Sequence, residues 1–181
     1  MPGEELSLRL CENNLCAVLN FLARYEEAIA LASVVIEHVH AIIERGGAFP
    51  AIAGNAMQSL AHAQIMLGRY DEALQTVRDA LPAWRRDGTF LYACLSLALL
   101  VANRNDFADA ARVAGAADAL MRRSGVCPHP CDWVLNERLQ ARFDEAKIDA
   151  ADVARWREEG EALDEAQIAA LCLGERAARA Q

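Results

Sequence analysis

Lysine is almost missing from this chain. Lys147 is the only one among 181 residues, and every other side chain that is always cationic is arginine. A phosphate-binding Gly-Lys-Ser/Thr loop is thereby excluded, because Lys147 stands in the run Glu145-Ala146-Lys147-Ile148-Asp149. That polar helical setting would hardly lower its pKa for Schiff-base chemistry. Positive charge as a whole is short: 18 Lys and Arg face 26 Asp and Glu, for a net charge of -8 and a pI near 5.0. Phosphate backbones bind basic patches, so direct nucleic-acid binding is not expected. Aromatic residues are scarce at 6% while alanines are many, which favours close-packed helices over a β-sandwich. Serines are few, and none lies in a Gly-x-Ser-x-Gly elbow. The carboxylate pairs Glu26/Glu27 and Glu158/Glu159 are adjacent and read as solvated helix faces. The chain is therefore expected to be no enzyme and to carry no cofactor. Long apolar runs are also lacking. The longest, Phe90 to Ala102, is too short to span a bilayer, and the N-terminal MPGEELSLRL has no apolar signal core. Those absences point away from a membrane and towards the cytoplasm.

What is present is a repeated pattern. The apolar fraction of 54% is enough for a substantial core. Three segments share one arrangement: LARYEEAIALASVVI from Leu22, LGRYDEALQTVRDAL from Leu67, and RNDFADAARVAGAAD from Arg104. Each places an aromatic (Tyr25, Tyr70, Phe107) three residues before an alanine (Ala28, Ala73, Ala110). The aromatics are 45 and 37 residues apart, a period that signals a helical repeat array. Gly68 suits a left-handed turn residue that closes a first helix. The aromatic then opens a second helix as a wedge, and the alanine one turn on lets helices approach. Seven residues further stand Val35, Ala80 and Ala117; on each first helix Leu15, Leu60 and Leu97 hold an apolar site, followed by Cys16, Ala61 and Ala98.

These units resemble tetratricopeptide repeats, with the best match at Leu60, Ala61, Gly68, Tyr70, Ala73 and Ala80. They are degenerate copies. The family unit is about 34 residues, and its usual first-helix Trp is replaced by Glu12, Met57 and Cys94. The closing Pro is missing as well. The resemblance implies an all-α fold, a right-handed α-α superhelix of three hairpins over residues 1–124. Helices are expected at about 4–22, 26–45, 51–67, 71–87, 89–103 and 107–124, split by Gly46–Pro50 and Arg85–Gly88. A helical cap follows over 125–181, with helices at about 132–147, 150–160 and 164–173, and a tail that frays. Asp164 is placed to cap the last helix, Gly160 to break the one before it, and Trp156 and Leu163 to pack over the end of the array.

The last 75 or so residues also resemble the C-terminal end of large bacterial signal-transduction ATPases that regulate transcription. The match lies in the Phe107–Gly125 helix and in Trp156, Gly160, Leu163, Glu165 and Ala166, residues that are structural rather than catalytic. It implies a detached interaction or sensor module whose partners are a protein segment or attached ATPase and DNA-binding domains. Homodimerisation through an exposed hairpin edge is left open. In such arrays the first helices line the concave face. The resemblance carries that binding groove onto Asn13, Asn14, Asn20, Phe21, Asn55, Gln58, His62, Met66, Tyr92, Leu95 and Asn103. This is an amide-rich surface able to bond a peptide backbone, and it lacks the cations of the family's carboxylate clamp. A small-molecule effector held by Asn55, Gln58, His62 and Tyr92 is the second reading. A third is metal or haem at Cys127, His129 and Cys131 in the CPHPC loop. With no second Cys/His pair at a distance, that loop reads first as incidental. His38 and His40, two apart on a helix, form no metal face.

Overall fold

The helices are set by three copies of one turn. Arg24, Arg69 and Asp106 precede the second helix of each hairpin with nearly identical backbone angles: φ/ψ of -89/58, -84/60 and -86/60 degrees. The residue before each is left-handed: Ala23 (φ 56), Gly68 (φ 76) and Asn105 (φ 65). The turn closes by a hydrogen bond to the carbonyl five residues back. Arg24 N–H donates to Leu19 (2.9 Å), Arg69 N–H to Gln64 (2.8 Å) and Asp106 N–H to Val101 (3.4 Å). Such a bond satisfies a carbonyl that the helix end would otherwise leave orphaned. The same hydrogen-bond closure recurs at other helix ends, after left-handed Gly88, Gly125, Lys147 and Gly174; at Lys147, Ile148 N–H donates to Phe143 (3.0 Å).

The computed structural model describes residues 2–46, 50–127 and 130–175, and of residues 2–6 and 50 only the backbone. Gly47 to Phe49 of the first breaker, Pro128 and His129 of the CPHPC loop, and the tail 176–181 lie outside the described residues. Those described form nine helices and no strand: α1 (Pro2–Phe21), α2 (Tyr25–Glu44), α3 (Pro50–Met66), α4 (Tyr70–Asp87), α5 (Phe90–Asn103), α6 (Phe107–Ser124), α7 (Pro130–Glu145), α8 (Ala150–Gly160) and α9 (Glu165–Leu173). The chain is all-α. Tyr25, Tyr70 and Phe107 are the first residues of α2, α4 and α6. The chain divides into two compact units, Met1–Thr89 and Phe90–Gln181. In this division the third hairpin, α5 and α6, groups with the C-terminal helices.

In the first unit α1, α2, α3 and α4 pack in succession, and α1 also touches α3. Ala28, Ala32, Val35 and Val39 line the buried side of α2, and Ala73, Val77, Ala80, Leu81 and Trp84 that of α4. Trp84 donates its indole N–H to the Gly54 carbonyl of α3 at 2.7 Å, so the largest buried ring keeps its polar atom satisfied. Leu15 departs from its repeat role. It is exposed where Leu60 is half-buried and Leu97 buried, whereas the small residues after them, Cys16, Ala61 and Ala98, are all buried.

In the second unit α5 packs against α6, α7 and α9, and α6 also packs against α8 and α9. Such surroundings need apolar residues almost all round, and α5 and α6 supply them, from Ala93 to Ala102 and from Ala110 to Ala117 with only Arg112 half-exposed. α6 and α8 cross at two glycines. A Cβ on Gly115 would lie 2.0 Å from the Arg157 carbonyl oxygen, and one on Gly160 would lie 2.0 Å from that of Arg112. Gly160 does end α8, as expected, but its lack of a side chain serves the contact with α6. Asp164 caps α9 with a full capping box: it accepts from Gln167 N–H (2.8 Å), and the Gln167 side chain accepts from Asp164 N–H (2.9 Å).

Candidate functional site

The residues expected to line a binding face do not share one environment. Asn20, His62 and Leu95 are buried. Asn20 donates its side-chain amide to the Ser59 carbonyl (2.9 Å), tying α1 to α3. His62 lies with its ring 6.4 Å from that of Tyr25. These three positions therefore lie inside the fold rather than on an open face. The wedge aromatic thus meets the first helix of the following hairpin, and Phe107 likewise meets Phe143 of α7, edge to face at 6.3 Å. Asn14, Phe21 and Tyr92 are exposed, and Asn13, Asn55, Gln58, Met66 and Asn103 half-buried. Asn103 turns its amide back onto its own helix, donating to Leu99 O at 2.9 Å. Asn55, Gln58 and Met66 share α3, while Asn13, Asn14 and Phe21 share α1.

Of the CPHPC trio, Cys127 is exposed and Cys131 half-buried. Burial raises the Cys131 thiol above its ordinary pKa, which works against the thiolate a metal requires. Among the described residues no three His, Cys, Asp or Glu side chains gather as metal ligands.

The second unit contains a cleft that the sequence reading did not single out, with a volume of about 1060 Å³. The first two turns of α6 supply Phe107, Asp109 and Arg112, with Asn105 and Asp106 just before them; Trp156 comes from α8, Gln167 and Leu171 from α9, and Ile148 and Leu163 from the intervening loops. Asp106 makes no side-chain cap to α6. Arg112 donates to Glu159 (2.8 and 2.9 Å) and to Asp109 (2.7 Å). Burial works against its charge, but these carboxylate hydrogen bonds outweigh burial and raise its pKa above the ordinary value. Trp156 is half-exposed, with the Arg155 guanidinium 5.8 Å from its ring centre. Trp156 and Leu163 thus stand side by side on a hollow, where the sequence placed them as a lid over packed helix ends. The cleft combines apolar walls with three carboxylates, Asp106, Asp109 and Glu175, against one guanidinium, Arg112. An apolar hollow with a few charged groups suits a compact organic ligand. The charge balance favours a cation over an anion.

No protein-family model, no curated protein and no solved structure matches this chain.

Proposed function

We propose that the chain is a non-catalytic sensor module of a bacterial regulator and that the α6–α8–α9 cleft receives its effector. The observation that carries this reading is the cleft itself. Phe107, Trp156 and Leu171 offer apolar contact, and the excess of carboxylates offers a counter-charge. The effector class is a small amphipathic amine: an apolar or aromatic body for the walls and an ammonium group for Asp106 and Glu175, Asp109 being already paired with Arg112. The regulatory setting, in the cytoplasm beside an ATPase, rests on the resemblance of the last third of the chain. The tetratricopeptide-like stacking belongs to the same proposal and is supported by the threefold recurrence of the turn at Ala23, Gly68 and Asn105.

Thermal melting across a panel of aromatic and aliphatic amines, each paired with its alcohol, tests the reading. Amines raise the melting temperature and the alcohols do not, and Trp156→Ala removes the effect. A panel without any shift, or equal shifts from amines and alcohols, overturns it. A protein segment held on α1 and α3 is the second reading. It is favoured by Asn14, exposed, and Asn13 and Asn55, half-exposed, which place side-chain amides within reach of a peptide backbone. Peptide-array binding that Asn14→Ala and Asn55→Ala weaken together supports it.

A further inference from the structure

One arginine beside α7 is not saturated by the fold. α7 packs against α5 while α8 packs against α6, and a hollow of about 380 Å³ opens where α6, α7 and α8 come together. Asn136, Leu139 and Phe143, at steps of three and four, share the face of α7 that lines it. Leu139 and Phe143 are buried and form its base, whereas Asp118 of α6, Glu137 of α7 and Arg157 of α8 are more exposed and form its rim. The Arg157 guanidinium donates through Nη2 to the Asn136 side-chain oxygen at 3.2 Å. Asp118 Oδ2 is 3.9 Å from the same nitrogen, beyond hydrogen-bond reach. Nε of Arg157 is buried and has no partner among the described residues. Arg112, on the neighbouring cleft, is different, since Asp109 and Glu159 fill its fork of donors.

We propose that this hollow binds a small α-amino acid with an uncharged side chain, its carboxylate on Arg157 and its ammonium on Asp118. A guanidinium presents a rigid fork of donors that matches a carboxylate, and here Asn136 takes up a single one of them. The base of that arginine is fixed, because its main-chain carbonyl lies so near α6 that a Cβ on Gly115 would come within 2.0 Å of it. Charge selects the ligand. Two carboxylates, Asp118 and Glu137, against one guanidinium oppose a free anion. A plain amine would leave the fork of Arg157 unfilled. A zwitterion answers both, since Arg157 and Asp118 stand 3.9 Å apart and Glu137 adds attraction for the ammonium. A charged side chain would lose its water against Leu139 and Phe143, and the volume lies at the small end of ligand sites. The hollow shares no lining residue with the effector cleft, and neither reading needs the other.

Equilibrium dialysis of the whole chain against radiolabelled L-alanine, L-leucine and L-glutamine tests the proposal. At least one of them is expected to be retained, one per chain. Arg157→Gln and Asp118→Asn are each expected to weaken that retention by about tenfold or more, as the loss of one hydrogen bond to a charged group does. Asp118→Asn, a half-exposed and nearly isosteric change, decides the matter if Arg157→Gln fails to fold. Two analogues of leucine separate its charges: 4-methylpentanoate lacks the ammonium and 3-methylbutylamine lacks the carboxylate. Both are expected to compete with the amino acid about tenfold more weakly than leucine itself. Trp156→Ala, which alters the effector cleft, leaves the amino acid bound. Retention of none of the three amino acids overturns the proposal. Retention that withstands both substitutions, that either analogue displaces as well as leucine, or that Trp156→Ala abolishes, overturns it too.

Discussion

Ala23 occupies a backbone conformation that its side chain resists. At φ 56 it is left-handed, as Gly68 is at φ 76 in the equivalent turn. A left-handed residue with a Cβ costs about 1–2 kcal/mol, partly offset by the greater freedom that a glycine would bring to the unfolded chain. Ala23→Gly is therefore expected to stabilise the protein by about 0.5 kcal/mol, and Gly68→Ala to destabilise it by about 1 kcal/mol, both read from the urea midpoint. The glycine at 68 made one copy of the turn legible in the sequence. Ala23 hid its copy, because alanine does not announce a positive φ, and Asn105, which tolerates one, is a weaker signal than glycine; the aromatic two places on marked both. The cysteines add a second expectation at this scale. Burial pushes the Cys16 thiol from 9.0 to about 11 and the Cys172 thiol to about 12, and raises Cys94 as well. A folded pKa above the unfolded one means that the stability is whole below pH 9 and falls as the unfolded thiols ionise between pH 9 and about 11. Native alkylation at pH 9 is expected to label exposed Cys11 and Cys127 first and to leave Cys16, Cys94 and Cys172 until urea unfolds the chain; labelling all six at one rate contradicts that burial.

Among the elements, α6 and α8 depend most on absent atoms. A methyl group on Gly115 or Gly160 would come within 2.0 Å of the Arg157 or Arg112 carbonyl oxygen, so neither helix has place for one. The listeners on each side are backbone carbonyls, which cannot rotate away as a side-chain tip could. Gly115→Ala and Gly160→Ala are each expected to destabilise by about 1–3 kcal/mol or somewhat more, since the helices must separate. Helix propensity pulls the other way by only about 1 kcal/mol, so thermal melting decides the sign: any rise in melting temperature removes the close crossing. Ion pairs beside the crossing, Arg112–Glu159 and Arg122–Glu161, are partly or largely exposed and contribute little. The sequence marked this region only in part. Helix ends came out within about two residues because caps and turns are local signals. Gly160 read as a helix end for the same reason. Its contact with α6, like the cleft that α8 and α9 form around Trp156, depends on which helix returns to which, and no local spacing encodes that.

At the scale of the whole molecule, repeat spacing and core formation answer different questions. The recurrence of Tyr25, Tyr70 and Phe107 groups three hairpins by the chemistry of their turns, whereas compactness groups α5 and α6 with α7, α8 and α9. The third hairpin belongs to the second unit because its apolar surface, nearly continuous around α5 and α6, is met by helices that come later in the chain. A unit that closes its own core opens as a cooperative body. Gly115→Ala, placed in the middle of α6, separates that grouping from one in which three hairpins form a single unit. Hydrogen exchange followed by mass spectrometry is expected to show amides of α5, α6, α8 and α9 exchanging faster together in the variant, while those of α2, α3 and α4 keep their wild-type rates. Faster exchange that runs evenly through α2 to α6 and spares α8 and α9 contradicts the two-unit grouping and returns the third hairpin to the first two.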